Sequence, residues 1–354
     1  MFAVHPTIII IMPSAAHSSA LGAAIATPVT RQTLVPGTYK PSVSTTGLLP
    51  GYTKEMLTKI DPSDPRCRQQ GSLPCKHFYP DSNTVYENIW FHVPVRASTA
   101  VNVTFRNCYF DGYGIPNEFD GGTSTDWACF DASESATAGA TNNVDDNFTL
   151  EDCEINAYSP NDSVNGIRGC GFTVRRSKLI NVVDGIDIFQ MQAGAMHIYL
   201  EAIYIDQLTY FNTPGNHADN RTHNDCVQWA GGSNWRAFGC TFNALAWPAS
   251  ASGPDADPYY PAVTGQGIGV TSNAGPCSGM DLESCWLDGG NHAITAIVTS
   301  NTATYTNVGS MKNLKFGRNS HTSPVQISNS MTFTAINLTY EDNGSPVTVV
   351  RGEV

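Results

Sequence analysis

Positive charge is scarce in this sequence. Lys and Arg number 19 against 31 Asp and Glu, a formal net charge of −12. So few cations offer little to neutralise a phosphate backbone, and nucleic acid is not an expected partner. Long apolar runs are missing too. The most apolar early stretch, "TIIIIMP" (7–13), falls far below the roughly 18 residues that a membrane-crossing helix needs, so no membrane insertion is expected. No Lys or Arg precedes it, and the first positive side chain is Arg31. It therefore reads poorly as an export signal. Long helix-forming runs are also absent.

What is abundant is Gly, Asn, Asp, Ser and Thr, the composition of short strands joined by tight turns. Within it lies a repeat. Eight segments share one pattern: "VTFRNCYFD" (103–111), "FTLEDCEIN" (148–156), "FTVRRSKLI" (172–180), "IYLEAIYID" (198–206), "WRAFGCTFN" (235–243), "MDLESCWLD" (280–288), "GSMKNLKFG" (309–317) and "MTFTAINLT" (331–339). Most carry apolar residues at positions 1, 3 and 8 and a small or apolar residue at position 6. Alternation of period two slips by one residue in the middle. Two short strands meeting at a corner, both lining one core, produce that slip. Starts lie 22 to 45 residues apart. The shorter spacings suit one coil of a parallel β-helix, and the longer ones a coil with an insertion. Asx residues often close the pattern, as at Asp111, Asn156, Asp206, Asn243 and Asp288, where a turn is expected.

The sixth position reads Cys108, Cys153, Ser177, Ile203, Cys240, Cys285, Leu314 and Ile336. Four of the ten cysteines thus share a column with Ile and Leu and are expected to act as buried small apolar groups. Cys67 and Cys75 lie outside the repeat, and a local bridge between them is left open.

A second strand recurs between the corners, in "VNGIRG" (164–169), "VDGIDIF" (183–189), "NDCVQWA" (224–230), "GQGIGVT" (265–271) and "NHAITAI" (291–297). A further strand, "WACF", is expected inside the insertion 112–147. In the alignment Cys226 matches Gly185 and Gly267, and Val227 matches Ile186 and Ile268. Arg168, Asp187 and Gln228 then form one outward column on neighbouring rungs, and Asn165, Asp184 and Asp225 another. Rungs are about 4.8 Å apart, so these groups are expected to meet.

Three chemistries compete there. Two carboxylates flanking a glycosidic bond would make a hydrolase, with Asp184, Asp187 and Asp225 able to supply the pair, Asp187 and Asp225 foremost, and His223 as helper. Its signature is a pair about 5 to 9.5 Å apart and facing each other. A base beside a uronate, with Arg168 neutralising the carboxylate, would make a lyase. His217, Asp219, His223 and Asp225 could hold a divalent ion, but His–Asp spacing in a polar loop is common by chance, so no metal and no cofactor is expected. Against all three stands an ordinary polar face. Trp229, Trp247, Tyr259 and Tyr260 add aromatic surface suited to sugar rings; with Arg168 and Gln228 they are the candidate substrate contacts.

The corner repeats, the rung His223-Asn224-Asp225-Cys226-Val227-Gln228 followed by "GGSNW", and the upstream "STTGLLPGYTKEML" resemble right-handed parallel β-helix proteins of the pectate-lyase-like superfamily. More narrowly, they resemble minor tail proteins of phages that infect actinobacteria. The resemblance covers residues 43 to 340. It implies a virion component at the tail tip or fibre, assembled in the host cytoplasm and touching host surface polysaccharide. It also implies other tail proteins as partners and allows a homotrimer. The sequence shows neither the paired-aspartate pattern of polygalacturonases nor the calcium-aspartate and arginine set of pectate lyases. The reading therefore leans to a structural, glycan-contacting role, with a polysaccharide depolymerase as the alternative. The expected layout is all-β: an N-terminal docking arm (1–35), a cap region (36–100), a right-handed parallel β-helix (101–340) and a C-terminal tail (341–354).

Overall fold

The computed structural model describes residues 7–8, 34–69, 75–97, 100–116, 127–132, 147–159, 162, 164–188, 195–211, 222–248, 265–270, 277–296, 307–329 and 331–352. Their strands form three long sheets, the first and second of 10 strands and the third of 11, and one small two-stranded sheet. Successive passes of the chain stack on one another, and nearly every pairing is parallel. One antiparallel pair, Cys67–Arg68 with His77–Phe78, closes the start of the stack. The fold is the parallel β-helix that the spacing predicts.

The nine-residue pattern is the corner between the first and second sheets. In the second repeat, Phe148–Glu151 belongs to the first sheet and Glu154–Asn156 to the second. The slip between them has a backbone cause. Position 5 takes a left-handed conformation in every coil: Asn88, Asn107, Asp152, Arg176, Ala202, Gly239, Ser284, Asn313 and Asn337 all have positive φ. Asn and Gly enter that region cheaply, other residues at roughly 1–2 kcal/mol. The asparagines also bond along the stack. Asn107 Nδ2 donates to Asn88 Oδ1 at 2.6 Å, and Asn337 Nδ2 to Asn313 Oδ1 at 3.0 Å.

Two corrections to the repeat follow. A further copy, "TVYENIWFH" (84–92), precedes the first, since Val85 pairs with Thr104 and Tyr86 with Phe105. The last copy is shifted by two residues. Phe333 pairs with Gly309 and Ile336 with Lys312, so Leu338, not Ile336, continues the sixth column. Both frames place apolar residues at positions 1, 3 and 8; the left-handed Asn337 decides between them. Ile336 is accordingly 51% exposed.

The sheets begin before residue 101, with Thr58–Ile60, Thr84–Glu87, Ile89–Phe91 and Val95–Arg96, and run past 340 to Val349–Arg351. "WACF" lies on Trp127–Ala132, a full rung of the third sheet. Phe78, Phe91, Phe105, Phe110, Phe130, Phe148, Phe172 and Phe242 fill the centre. All ten cysteines are buried and unbridged, Cys67 and Cys75 included. Cys108, Cys153, Cys240 and Cys285 each lie within 3.2–3.6 Å of backbone carbonyls, as small core groups with a weak donor.

Residues 34–57 run along the first corner as a strap. Thr241 Oγ1 donates to Pro41 O at 2.9 Å. Gly47 N donates to Arg176 O at 2.9 Å, Leu49 N to Asn107 Oδ1 at 2.8 Å and Thr58 N to Asn88 O at 2.9 Å. The strap thus descends toward the first coil, and the lead-in "STTGLLPGYTKEML" is its lower part. From the arm, Thr7–Ile8 pairs with Thr84–Val85 of the same chain.

Between the first two sheets only one or two residues intervene in each coil from Thr84 to Tyr340. The long intervals, 111–126, 133–147, 211–224, 249–265 and 297–306, all leave or rejoin the borders of the third sheet. The sequence between described strands is therefore longest where the chain enters or leaves the third sheet.

Candidate functional site

The outer face of the third sheet is built rung by rung. Arg168 pairs with Asp187 and Asp187 with Gln228. Below them, Arg96 pairs with Asp131 and Asp131 with Arg168. One outward column therefore reads Arg96, Asp131, Arg168, Asp187, Gln228, with charges alternating over its first four members. Arg168 Nε donates to Asp187 Oδ2 at 3.3 Å. Asp187 is 6% exposed.

The second column behaves differently at each rung. Asp184 is a turn-type carboxylate: its Oδ1 accepts the Asp225 backbone N–H at 2.7 Å, and its own N–H donates to Asn165 Oδ1 at 3.4 Å. This is the scaffold arrangement. Asp225 is not held that way. Its carboxylate leans over Gly269 on the next rung, where a Cβ would fall 2.7 Å from Asp225 Oδ2 and 2.6 Å from Gln266 Oε1. The missing side chain at 269 is what makes room for it. Asp225 is 4% exposed, and among the described residues its Oδ1 has no hydrogen-bond partner. Burial pushes its carboxyl up to about 7; a backbone bond from Gln266 opposes the rise and the charge of Asp187 adds to it. The face thus holds two carboxyls in different surroundings, Asp187 beside Arg168 and Asp225 retaining its proton to near neutrality.

The stretch 222–229 can now be read residue by residue. Thr222 and Asn224 are buried, and Asn224 Nδ2 donates to Val183 O at 3.0 Å and Thr209 O at 2.7 Å. Asn224 pins the start of the rung to the corner below. His223 is exposed at that start. Cys226 and Val227 lie in the core, Gln228 points outward, and Trp229 points inward at 0% exposure. The expectation that Trp229 contacts substrate is therefore corrected. Period two from Val227 carries it inside, where its ring meets Trp235 edge-on at 5.9 Å. Trp247 lies on Ala246–Pro248, which pairs with Leu208–Tyr210 at the approach to the third sheet. Tyr259, Tyr260, His217 and Asp219 lie outside the described residues.

The structure thus gathers Arg168, Asp187, Asp225 and Gln228 on adjacent rungs, with His223 two residues before Asp225. Sequence reasoning passed over Gln266 and Gly269, although both stand in the aligned "GQGIGVT"; a glycine in an outward column is the signal of a neighbour needing space. Comparison with protein-family models, curated proteins and solved structures finds no match to this chain.

Proposed function

We propose that this chain is a phage tail component of the minor-tail type whose β-helix holds host-envelope glycan against the outer face of the third sheet. The observation that carries the glycan reading is the Arg168–Asp187–Gln228 column with Asp225 beside it, on the face whose borders take the long insertions. Planar, hydrogen-bonding side chains at fixed rung spacing offer a row of donors and acceptors to a chain of hydroxyls. The virion reading rests on the resemblance of the 223–228 rung and of the 43–56 lead-in. Right-handed winding belongs to this reading, because parallel crossovers take that hand almost without exception. Partner tail proteins and a trimer remain part of it through the resemblance.

A second reading, polysaccharide cleavage, is favoured by one observation: Asp225 keeps its proton to about pH 7 with a second carboxyl, Asp187, on the neighbouring rung. In it Asp225 gives its proton to the leaving oxygen, and Asp187 activates water or attacks the sugar.

One experiment separates the two. Purified protein is incubated with actinobacterial cell-wall polysaccharide, and retention, new reducing ends and unsaturated uronate absorbance are measured. Retention without product, weakened by Gln228→Ala, supports the adhesive role. Product that disappears in Asp225→Asn and Asp187→Asn supports cleavage. Neither retention nor product removes both readings.

A further inference from the structure

A second cluster of side chains is built as firmly as the acidic face and has no part in it. It lies at the corner between the second and third sheets, on three successive early coils. Trp90 and His92 come from the pass containing Ile89–Phe91. Tyr109, Asp111 and Tyr113 come from the next, and Tyr158 follows Glu154–Asn156 on the third.

Asp111 is the hub, at 2% exposure. Its Oδ2 accepts the Trp90 indole N–H at 2.8 Å and lies 2.7 Å from His92 Nδ1. Its Oδ1 accepts the Tyr113 backbone N–H at 3.1 Å, and its carbonyl accepts the Tyr158 N–H at 2.8 Å. One buried residue thus fixes an indole, an imidazole and the backbone of two tyrosines. Nδ1 is the imidazole nitrogen committed to Asp111, so Nε2 is the one outside this hub.

The rings above this base form a right-angled corner. His92 stacks on Tyr113 with centroids 4.1 Å apart and planes 21° apart. Tyr158 stands edge-on to both, at 4.9 Å and 78° to His92 and 5.1 Å and 81° to Tyr113. Yet Tyr113 is 39% and Tyr158 55% exposed. Two phenol rings, anchored through their backbone from below, stand nearly at right angles and are partly exposed. Rigid aromatic surface fixed in advance binds without the ordering cost of a mobile side chain.

We propose that this corner is a second carbohydrate-binding site, taking one pyranose unit of a polysaccharide. One tyrosine face receives the C–H face of the ring, while the other phenol and His92 Nε2 serve its hydroxyls. A quaternary ammonium also suits aromatic corners, but charge opposes it here. Lys59 and Lys54 hold their ammonium groups 4.7 and 5.2 Å from the Trp90 ring centroid, and Trp90 stands 5.1 Å from His92. The location suits a glycan laid along the coil. Tyr113 leads toward Trp127–Ala132 and Tyr158 toward Val164–Gly169, the rungs that carry Asp131 and Arg168. The rung of Asp225 lies three steps beyond Trp127–Ala132, roughly 14 Å along the stack. The site uses none of the residues of the acidic face, so the two assignments fail independently.

Affinity electrophoresis tests it, in gels containing β-glucan, galactomannan, arabinogalactan or polygalacturonate. Wild type is run beside Tyr158→Ala, Tyr113→Ala/Tyr158→Ala, Tyr158→Phe and a Gln228→Ala/Asp187→Asn control, with circular dichroism confirming each fold. At least one polysaccharide is expected to retard the wild type. The tyrosine-to-alanine variants should bind it about five- to tenfold more weakly, the loss of one or two aromatic contacts, and Tyr158→Phe should keep most of the affinity. The half-exposed Tyr158 carries the test should Tyr113→Ala fail to fold. Retention lost in the tyrosine variants but kept in the control sustains this site while removing the acidic face from binding. No retardation of the wild type, or equal retardation of Tyr158→Ala, overturns it.

Discussion

Asp225 carries most of the chemistry at the scale of single residues, and its titration fixes what it can do. In the unfolded chain its carboxyl ionises near the ordinary value of about 3.9; in the fold it holds its proton to about 7. Between those values the folded state binds one more proton than the unfolded state. This group's effect on stability therefore falls as pH rises through the window and is constant above it. Asp225→Asn should raise Tm at pH 8 more than at pH 4, measured by calorimetry at both; an equal shift would mean that Asp225 titrates alike in the folded and unfolded chain. Trp229 gives the opposite kind of test. Trp229→Ala empties a fully buried volume and should cost about 3–5 kcal/mol in urea unfolding. A variant of unchanged stability would return that ring to the surface. At this scale the sequence was legible where period two ran unbroken, which places Arg168, Asp187 and Gln228 in one column. It was illegible where burial depends on a neighbouring rung. Nothing local to Asp225 announces that Gly269 yields it space, and Trp229 looked like a sugar contact until its parity within the strand was counted.

Among elements, the strap comes against the backbone of the first corner at Gly239. Gly239 has φ +62°, and a Cβ there would fall 2.4 Å from Gly37 N. Gly239→Ala therefore adds left-handed strain to a collision with backbone that has no side-chain freedom to yield. The strap should lift while the coils stay paired. Limited proteolysis followed by mass spectrometry should show faster cleavage within 34–57, with the strand signal in circular dichroism retained; cleavage at the wild-type rate would show that the strap is held elsewhere. Corners were readable in the sequence because their phase slip is periodic. The copy at 84–92 escaped because polar Thr84 occupies its first position. The final copy slid by two because apolar spacing alone cannot distinguish two frames, whereas a left-handed Asn can. The strap carries no periodicity at all, since its bonds are to backbone atoms and ladder amides scattered through the chain.

For the whole molecule, the parallel stack sets how the chain comes together. Apart from the closing pair at Cys67–Arg68 and His77–Phe78, its sheet pairings join successive passes of the coil, so loops must close before any rung is stabilised. Refolding from denaturant should take seconds or longer and lose protein to aggregation at micromolar concentration, followed by stopped-flow fluorescence with light scattering; completion within milliseconds would mean that local structure guides the process. One edge of the molecule is invariant in length from coil to coil and bound under a strap, while the other two edges accept additions of any size. Such a body can be re-edited without being refolded. Loops bordering the third sheet can be lengthened, trimmed or exchanged while Asp187 and Asp225 keep their positions. The frame and what borders it can thus change on separate schedules.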